Sequence, residues 1–188
     1  MKTGTIVVIV VVLALVLGGC GFVGERNKLA MEKEAITGQW SQVDADLQRR
    51  ADLIPNLVET VKGYAKEETT VVQSVANARA ALVGARSPQE KIDASNQLTG
   101  ALGRLLVVVE NYPNLKANEN FRQLQFELAG TENRLLQSRR RYNEAVQRYN
   151  TDISLFPANI VASMSGFQRE DAYFKTEPGA RTVPKVQF

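Results

Sequence analysis

The chain contains no histidine and a single cysteine, Cys20. Without histidine it lacks the side chain most used for general acid–base catalysis and for holding metals near neutral pH. One cysteine excludes an intrachain disulfide and any cysteine-based metal centre. Together these absences argue against a hydrolytic triad, a zinc enzyme and a histidine-ligated haem protein. Aromatic residues make up 7%, and the net charge of +3 is too small to call for nucleic acid. The phosphate-binding P-loop signature is absent. The acidic pairs Asp44/Asp46 and Glu67/Glu68 fall in no pattern of paired acid and base. The expectation is a non-enzymatic chain with no cofactor, no metal, no small-molecule substrate and no nucleic-acid partner. An enzyme would have to work with carboxylates, Tyr, Lys and Arg alone, and no such set assembles.

What is present begins with an anchor. Residues 3–24 carry no charge, Lys2 precedes them, and their centre reads TIVVIVVVLALVL. A spanning helix needs about 20 apolar residues. Residues 5–23 qualify only if Gly18, Gly19, Cys20 and Gly21 are counted. The strictly apolar stretch is shorter and suits a signal-peptide core. It ends in LGGC, which resembles a lipobox and makes Cys20 a candidate lipidation site. An uncleaved transmembrane helix and a lipoprotein signal both stand, and either holds the body at a bilayer. With Lys2 inside, the body lies on the periplasmic or outer side.

The body, at 44% apolar residues overall, reads as all-α. Apolar positions recur every three or four residues: Ile36, Trp40, Val43, Leu47, Ala51, Ile54, Val58, Val61 and Ala65. They resume after a gap at Glu68 with Val72, Val75 and Leu82, as one stripe of a long helix. Pro55 lies inside it. Proline disrupts a helix interior, so the spacing predicts a fixed kink or two nearly collinear helices, with Asp52 recapping the second. Ser87-Pro88 with Glu90 opens a second helix carrying Ile92, Leu98, Leu102, Leu105 and Val109. NYPNLKANEN, residues 111–120, reads as a loop. A third helix begins near Asn118–Asn120. Its near-heptad stripe of Phe121, Leu124, Leu128, Leu135, Ser138, Tyr142, Val146, Tyr149, Ile153 and Phe156 predicts coiled-coil-like packing. Pro157 stops it or opens a short helix over residues 158–166. Short connections give an elongated antiparallel bundle. The expected organisation is an anchor over 1–24, a bundle over 25–174 and a flexible tail over 175–188, whose VPKVQF end could add as a strand to a partner's sheet.

Three surfaces are candidates for function. Arg49, Arg50, Asp52, Pro55 and Asn56 sit at the proline, where a protein partner could dock. The alternative is that Arg49 or Arg50 pairs with an acid on a facing helix. Tyr112, Pro113, Asn114, Lys116 and Asn118 form an Asn-rich loop. It is either a second docking point or a helix connection capped by its own asparagines. Arg134, Arg141 and Arg148 repeat at seven residues, thickened by Arg139 and Arg140. They read as interhelical ion pairs or as a ridge facing anionic lipid. Tyr142 and Tyr149 read as buried rings with their hydroxyls at the edge, and Trp40 as core.

The segments WSQVD (40–44), RRADLIPNLVETVKGYA (49–65), YPNLKANENF (112–121), RYNEAVQRYN (141–150) and FP (156–157) resemble the LemA family over about residues 25–175. The resemblance implies a bacterial cell-envelope protein with an N-terminal membrane segment and an α-helical bundle, and no known reaction. The family often carries a histidine in the turn after GYA. Here that turn is Lys66-Glu67-Glu68, so any role of that histidine does not carry over. The expected function is a membrane-anchored adaptor for another membrane or periplasmic protein. The alternative is a scaffold that self-associates as a homo-oligomer and binds or shapes the membrane surface.

Overall fold

The computed structural model describes residues 3–65 and 67–175. All secondary structure among them is helical: α1 Thr3–Tyr64, α2 Thr69–Gly84, α3 Pro88–Val109, α4 Pro113–Ala117, α5 Glu119–Asp152 and α6 Ala158–Ser165. The chain forms two compact units. One comprises residues 40–143 with the segment from 172. The other comprises the residues up to 39 with 144–171.

In the first unit α1, α2, α3 and α5 run up, down, up and down. Cross-helix contacts set the directions. Asp44 and Arg50 of α1 meet Lys91 and Thr99 of α3 in the same order, so these two helices are parallel. Asp46 and Arg50 meet Ser138 and Glu132 of α5 in reverse order. The predicted apolar stripes fill the core: Val43, Leu47, Ile54, Val61, Val75, Leu98, Leu105, Phe121, Leu135 and Tyr142 are all buried. Burying such side chains stabilises by roughly 1.5–3 kcal/mol each before chain entropy is subtracted. The predicted start of α3 is a complete capping box. The Ser87 hydroxyl accepts from the Glu90 N–H at 3.2 Å, and the Glu90 carboxylate accepts from the Ser87 N–H at 3.3 Å.

Four expectations change. Residues 36–82 do not form one helix. The chain turns after Ala65, where the Glu68 N–H donates to the Ala65 carbonyl, and α2 returns alongside α1. The apolar gap at 66–70 was the sign of that reversal, and both halves of the stripe face the same core. The helix is also unbroken at Pro55, and Asp52 caps nothing. It accepts from Gln48 Nε2 at 2.8 Å within the same helix. Residues 113–117 of the expected loop are the short helix α4, because Pro113 is suited to a first helical turn. Lastly, Phe156 is 79% exposed, because α5 ends at Asp152 and the stripe's register ends with it.

In the second unit α1 meets the end of α5 and α6. Leu29 packs on Ala158 and Ala162, flanked by Ile153 and Phe167. The helix α6 closes at Gly166, whose φ of 73° is left-handed and suited to glycine, with the Phe167 N–H donating to the Ala162 carbonyl. The Asp152 carboxylate lies 2.5 Å from Lys28 Nζ and is held below the usual carboxylate range by it. Burial, and then a hydrogen bond with Asp152, push Glu32 up. The tail reading, VPKVQF included, falls on 175–188 and lies outside the described residues beyond Lys175.

Candidate functional site

The answer to Pro55 lies on a different helix. Proline has no N–H, so the carbonyl four residues earlier, that of Ala51, loses its helical partner. Ala51 is buried, and an unpaired buried carbonyl is costly. Arg79 of α2 supplies the missing donor, its Nε donating to the Ala51 oxygen at 2.9 Å. The proline therefore creates a docking point for α2. Arg79→Met is expected to cost about 1–2 kcal/mol. In a Pro55→Ala background the restored N–H takes over the carbonyl, so the same change should cost about 1 kcal/mol less. Urea unfolding of the four proteins measures this. An equal cost in both backgrounds would refute the explanation.

One turn away, Arg50 is 5% exposed and points inward. Its Nη1 lies 2.8 Å from Glu132 of α5 and donates to the Thr99 hydroxyl of α3 at 3.1 Å. Glu132 Oε2 faces Arg50 through this charge pairing, and Glu132 Oε2 and Arg50 Nε are buried without hydrogen-bond partners. Burial lowers the Arg50 pKa from its ordinary value, opposed by the Glu132 charge. Arg139 adds a further contact to Glu132 and donates to the Ser95 hydroxyl at 2.7 Å. A cavity of 530 Å³ opens beside the pair, walled chiefly by Leu57, Leu102, Leu106 and Leu128.

Of the residues grouped around Pro55, Arg50 thus turns into the bundle, while Arg49, Asp52, Pro55 and Asn56 lie exposed on one face of α1. The 111–120 connection is tied down at both ends. The Tyr112 hydroxyl donates to Glu68 at 3.1 Å. Asn118 caps α5 by accepting from the Phe121 N–H at 3.0 Å, and its Nδ2 donates to the Tyr64 hydroxyl. Pro113, Asn114 and Lys116 are exposed, and Lys116 pairs with Glu110 at 2.6 Å. Arg134, Arg141 and Arg148 are all exposed on α5, and Cys20 is exposed on α1.

Sequence reasoning missed the Arg79 contact, and it also missed the asparagines of the YN repeat. Asn143 holds the backbone of Phe174 on both sides, Nδ2 donating to its carbonyl at 2.8 Å and Oδ1 accepting from its N–H at 3.1 Å. Asn150 holds Glu170 in the same way, at 2.7 and 2.9 Å. Tyr149 is fully buried and donates to the Gln168 carbonyl at 2.8 Å. Each amide thus serves one backbone residue as a neighbouring strand would. Phe174, fixed in this way, stacks on Trp40 with centroids 6.3 Å apart and meets Tyr142 edge-on at 6.1 Å. The signal was the exact repeat of Tyr-Asn at one heptad, with asparagine beside the core stripe.

The LemA family pattern matches residues 39–188. The chain belongs to the LemA family. A relative named protein LemA, from Metamycoplasma hominis, is 26% identical over 145 residues, covering 75% of this chain and 65% of the relative. Magnetosome protein MamQ 2 of Paramagnetospirillum magneticum is 26% identical over 182 residues, 83% of this chain and 66% of the relative. Magnetosome protein MamQ of Magnetospirillum gryphiswaldense is 30% identical over 91 residues, 48% and 33%. This LemA-family chain thus spans just under two thirds of the length of the curated relatives it matches most extensively. The family match starts at residue 39, well past the apolar start of α1, which is long and apolar enough to cross a membrane.

Proposed function

We propose that this LemA-family protein is a membrane-anchored, non-enzymatic adaptor of the bacterial cell envelope, its helical body on the periplasmic or outer side and bound to another envelope protein. The observation that supports this most is on α1. One continuous helix carries both the apolar segment and, within the four-helix unit, the exposed polar face of Arg49, Asp52 and Asn56. The Arg79–Ala51 contact fixes the backbone beneath that face, which lowers the entropic cost of docking. Exposed Asn114 and Lys116 offer a second contact. Lipidation at Cys20 is the alternative form of the anchor.

The test is cross-linking of the full-length protein in its native membrane, beside an Arg49→Ala/Asp52→Ala/Asn56→Ala variant. The adaptor reading expects one dominant partner, lost in the variant while thermal stability is kept. A partner retained by the variant rules out this face. A second reading, a self-associating scaffold on the membrane surface, draws support from the exposure of Arg134, Arg141 and Arg148 at heptad spacing on α5. It expects links from copy to copy along the helices and weaker binding to anionic vesicles when the three become glutamine.

A further inference from the structure

The unit that contains the start of α1 also displays an apolar surface that none of the described residues covers. Residues 153–168 carry no charged side chain. Within them Leu155, Phe156, Ile160 and Met164 are 56, 79, 51 and 73% exposed. Phe156, Ile160 and Met164 are spaced by four, so the last two lie on one face of α6 with Phe156 in the turn leading to it. The opposite face of α6 is already occupied, since Ala158 and Ala162 pack on Leu29. Large apolar side chains gathered on one outward face mark a binding surface.

The place where α6 docks says what binds it. The uncharged stretch of α1 ends at Gly24, and Glu25 and Arg26 are its first charges. Leu29 is five residues further along the same helix, about 7.5 Å at the helical rise. A bilayer's headgroup layer is about 5–7 Å thick on each side, so a bilayer entered by the uncharged stretch of α1 would have α6 at the boundary where interfacial helices rest. Its surroundings suit that depth: Lys28, paired with Asp152, and Lys33, 3.6 Å from Glu170, place charges around the neutral segment.

We infer that the 153–166 segment is a second membrane contact: α6 and the turn before it lay Phe156, Ile160 and Met164 among the lipids of the bilayer that α1 enters. This adds to the anchoring by α1 and does not depend on the adaptor reading.

The test uses the full chain in nanodiscs of phosphatidylethanolamine and phosphatidylglycerol. Phe156→Trp and Met164→Trp each add one fluorophore to the native Trp40, and Gln147→Trp places one on exposed α5 of the same unit as a control. Phospholipids brominated near the glycerol end of the acyl chains should quench the added fluorescence at 156 and 164 by about half, the shallow depth of an interfacial helix. The Gln147→Trp and wild-type signals should stay unchanged. Quenching at 156 and 164 no greater than at 147 overturns the inference. So does cross-linking of that face from copy to copy without lipid quenching, which would make it an interface between chains. Because tryptophan itself favours the interface, Phe156→Glu/Met164→Glu provides the reverse reading. In hydrogen exchange on nanodiscs it should raise exchange across 153–166 several-fold while leaving α3 unchanged. Unaltered exchange in that segment would also overturn the inference.

Discussion

Glu132→Ala is expected to destabilise the four-helix unit by about 3 kcal/mol, the lower end of the cost of stripping a buried charge of its partner. The lower end applies because 30% of the Glu132 side chain is exposed, whereas Arg50 is almost wholly enclosed. Arginine cannot shed its proton to escape, so a bare guanidinium would remain between α1, α3 and α5. The pair itself is a different matter. Arg50→Met/Glu132→Leu removes both charges and leaves apolar groups in a seam already lined by leucines. It should fall within about 1–2 kcal/mol of wild type, or above it. Urea unfolding of the full chain in detergent, followed by circular dichroism, checks both. A Glu132→Ala protein as stable as wild type would mean that water reaches Arg50 and that the pair is not structural.

The second large effect concerns the segment after α6. Asn143→Ala/Asn150→Ala deletes four side-chain-to-backbone hydrogen bonds at Phe174 and Glu170. At roughly 0.5–1.5 kcal/mol each, the loss is about 2–6 kcal/mol. It should be local. Amides at 168–174 should exchange much faster, whereas α2 and α3 should keep their protection. Trp40 supplies an independent signal, because Phe174 would leave its stack and Trp40 would become more exposed. Each Asn→Asp substitution is informative too. It keeps the acceptor and loses the donor, so it should produce an intermediate effect. If 168–174 exchanges no faster in the double variant, the clamps contribute nothing and the YN repeat needs another explanation.

These two predictions also mark how far the sequence reaches. The stripes from Ile36 to Ala65, Ile92 to Val109 and Phe121 to Tyr149 were legible, because helix period and burial impose each other residue by residue. So were Ser87 and Glu90, whose cap is made within four residues. The reversal at 65–68 was visible only as a gap in the stripe, since both helices bury their apolar faces in one core and so keep the same pattern. Pro113 is ambiguous by nature, because proline suits both a loop and a first helical turn. What stayed hidden depends on which backbone comes near. Arg79 gave no local sign that it would serve Ala51, and Asn143 and Asn150 acquire partners only because the chain returns after α6. Arg50 and Arg49 are adjacent in sequence and opposite in fate. One turns inward to Glu132 and the other stays on the surface, a difference of one residue in helix phase.

The same distinction shapes the functional reading. The candidate surface around Pro55 is reduced to Arg49, Asp52, Pro55 and Asn56, with Arg50 serving the fold. Arg134, Arg141 and Arg148 of α5 are exposed, so their part is decided by what meets them.

The measurement that tests the adaptor claim most directly is site-specific photo-cross-linking of the full-length protein in its native membrane. The photoreactive residue is placed at Asn56 in one protein and at Arg141 in another. The account predicts that position 56 links to one other envelope protein and that position 141 does not. Links from both positions to further copies of the chain, with no second protein captured at 56, would contradict it and favour the scaffold.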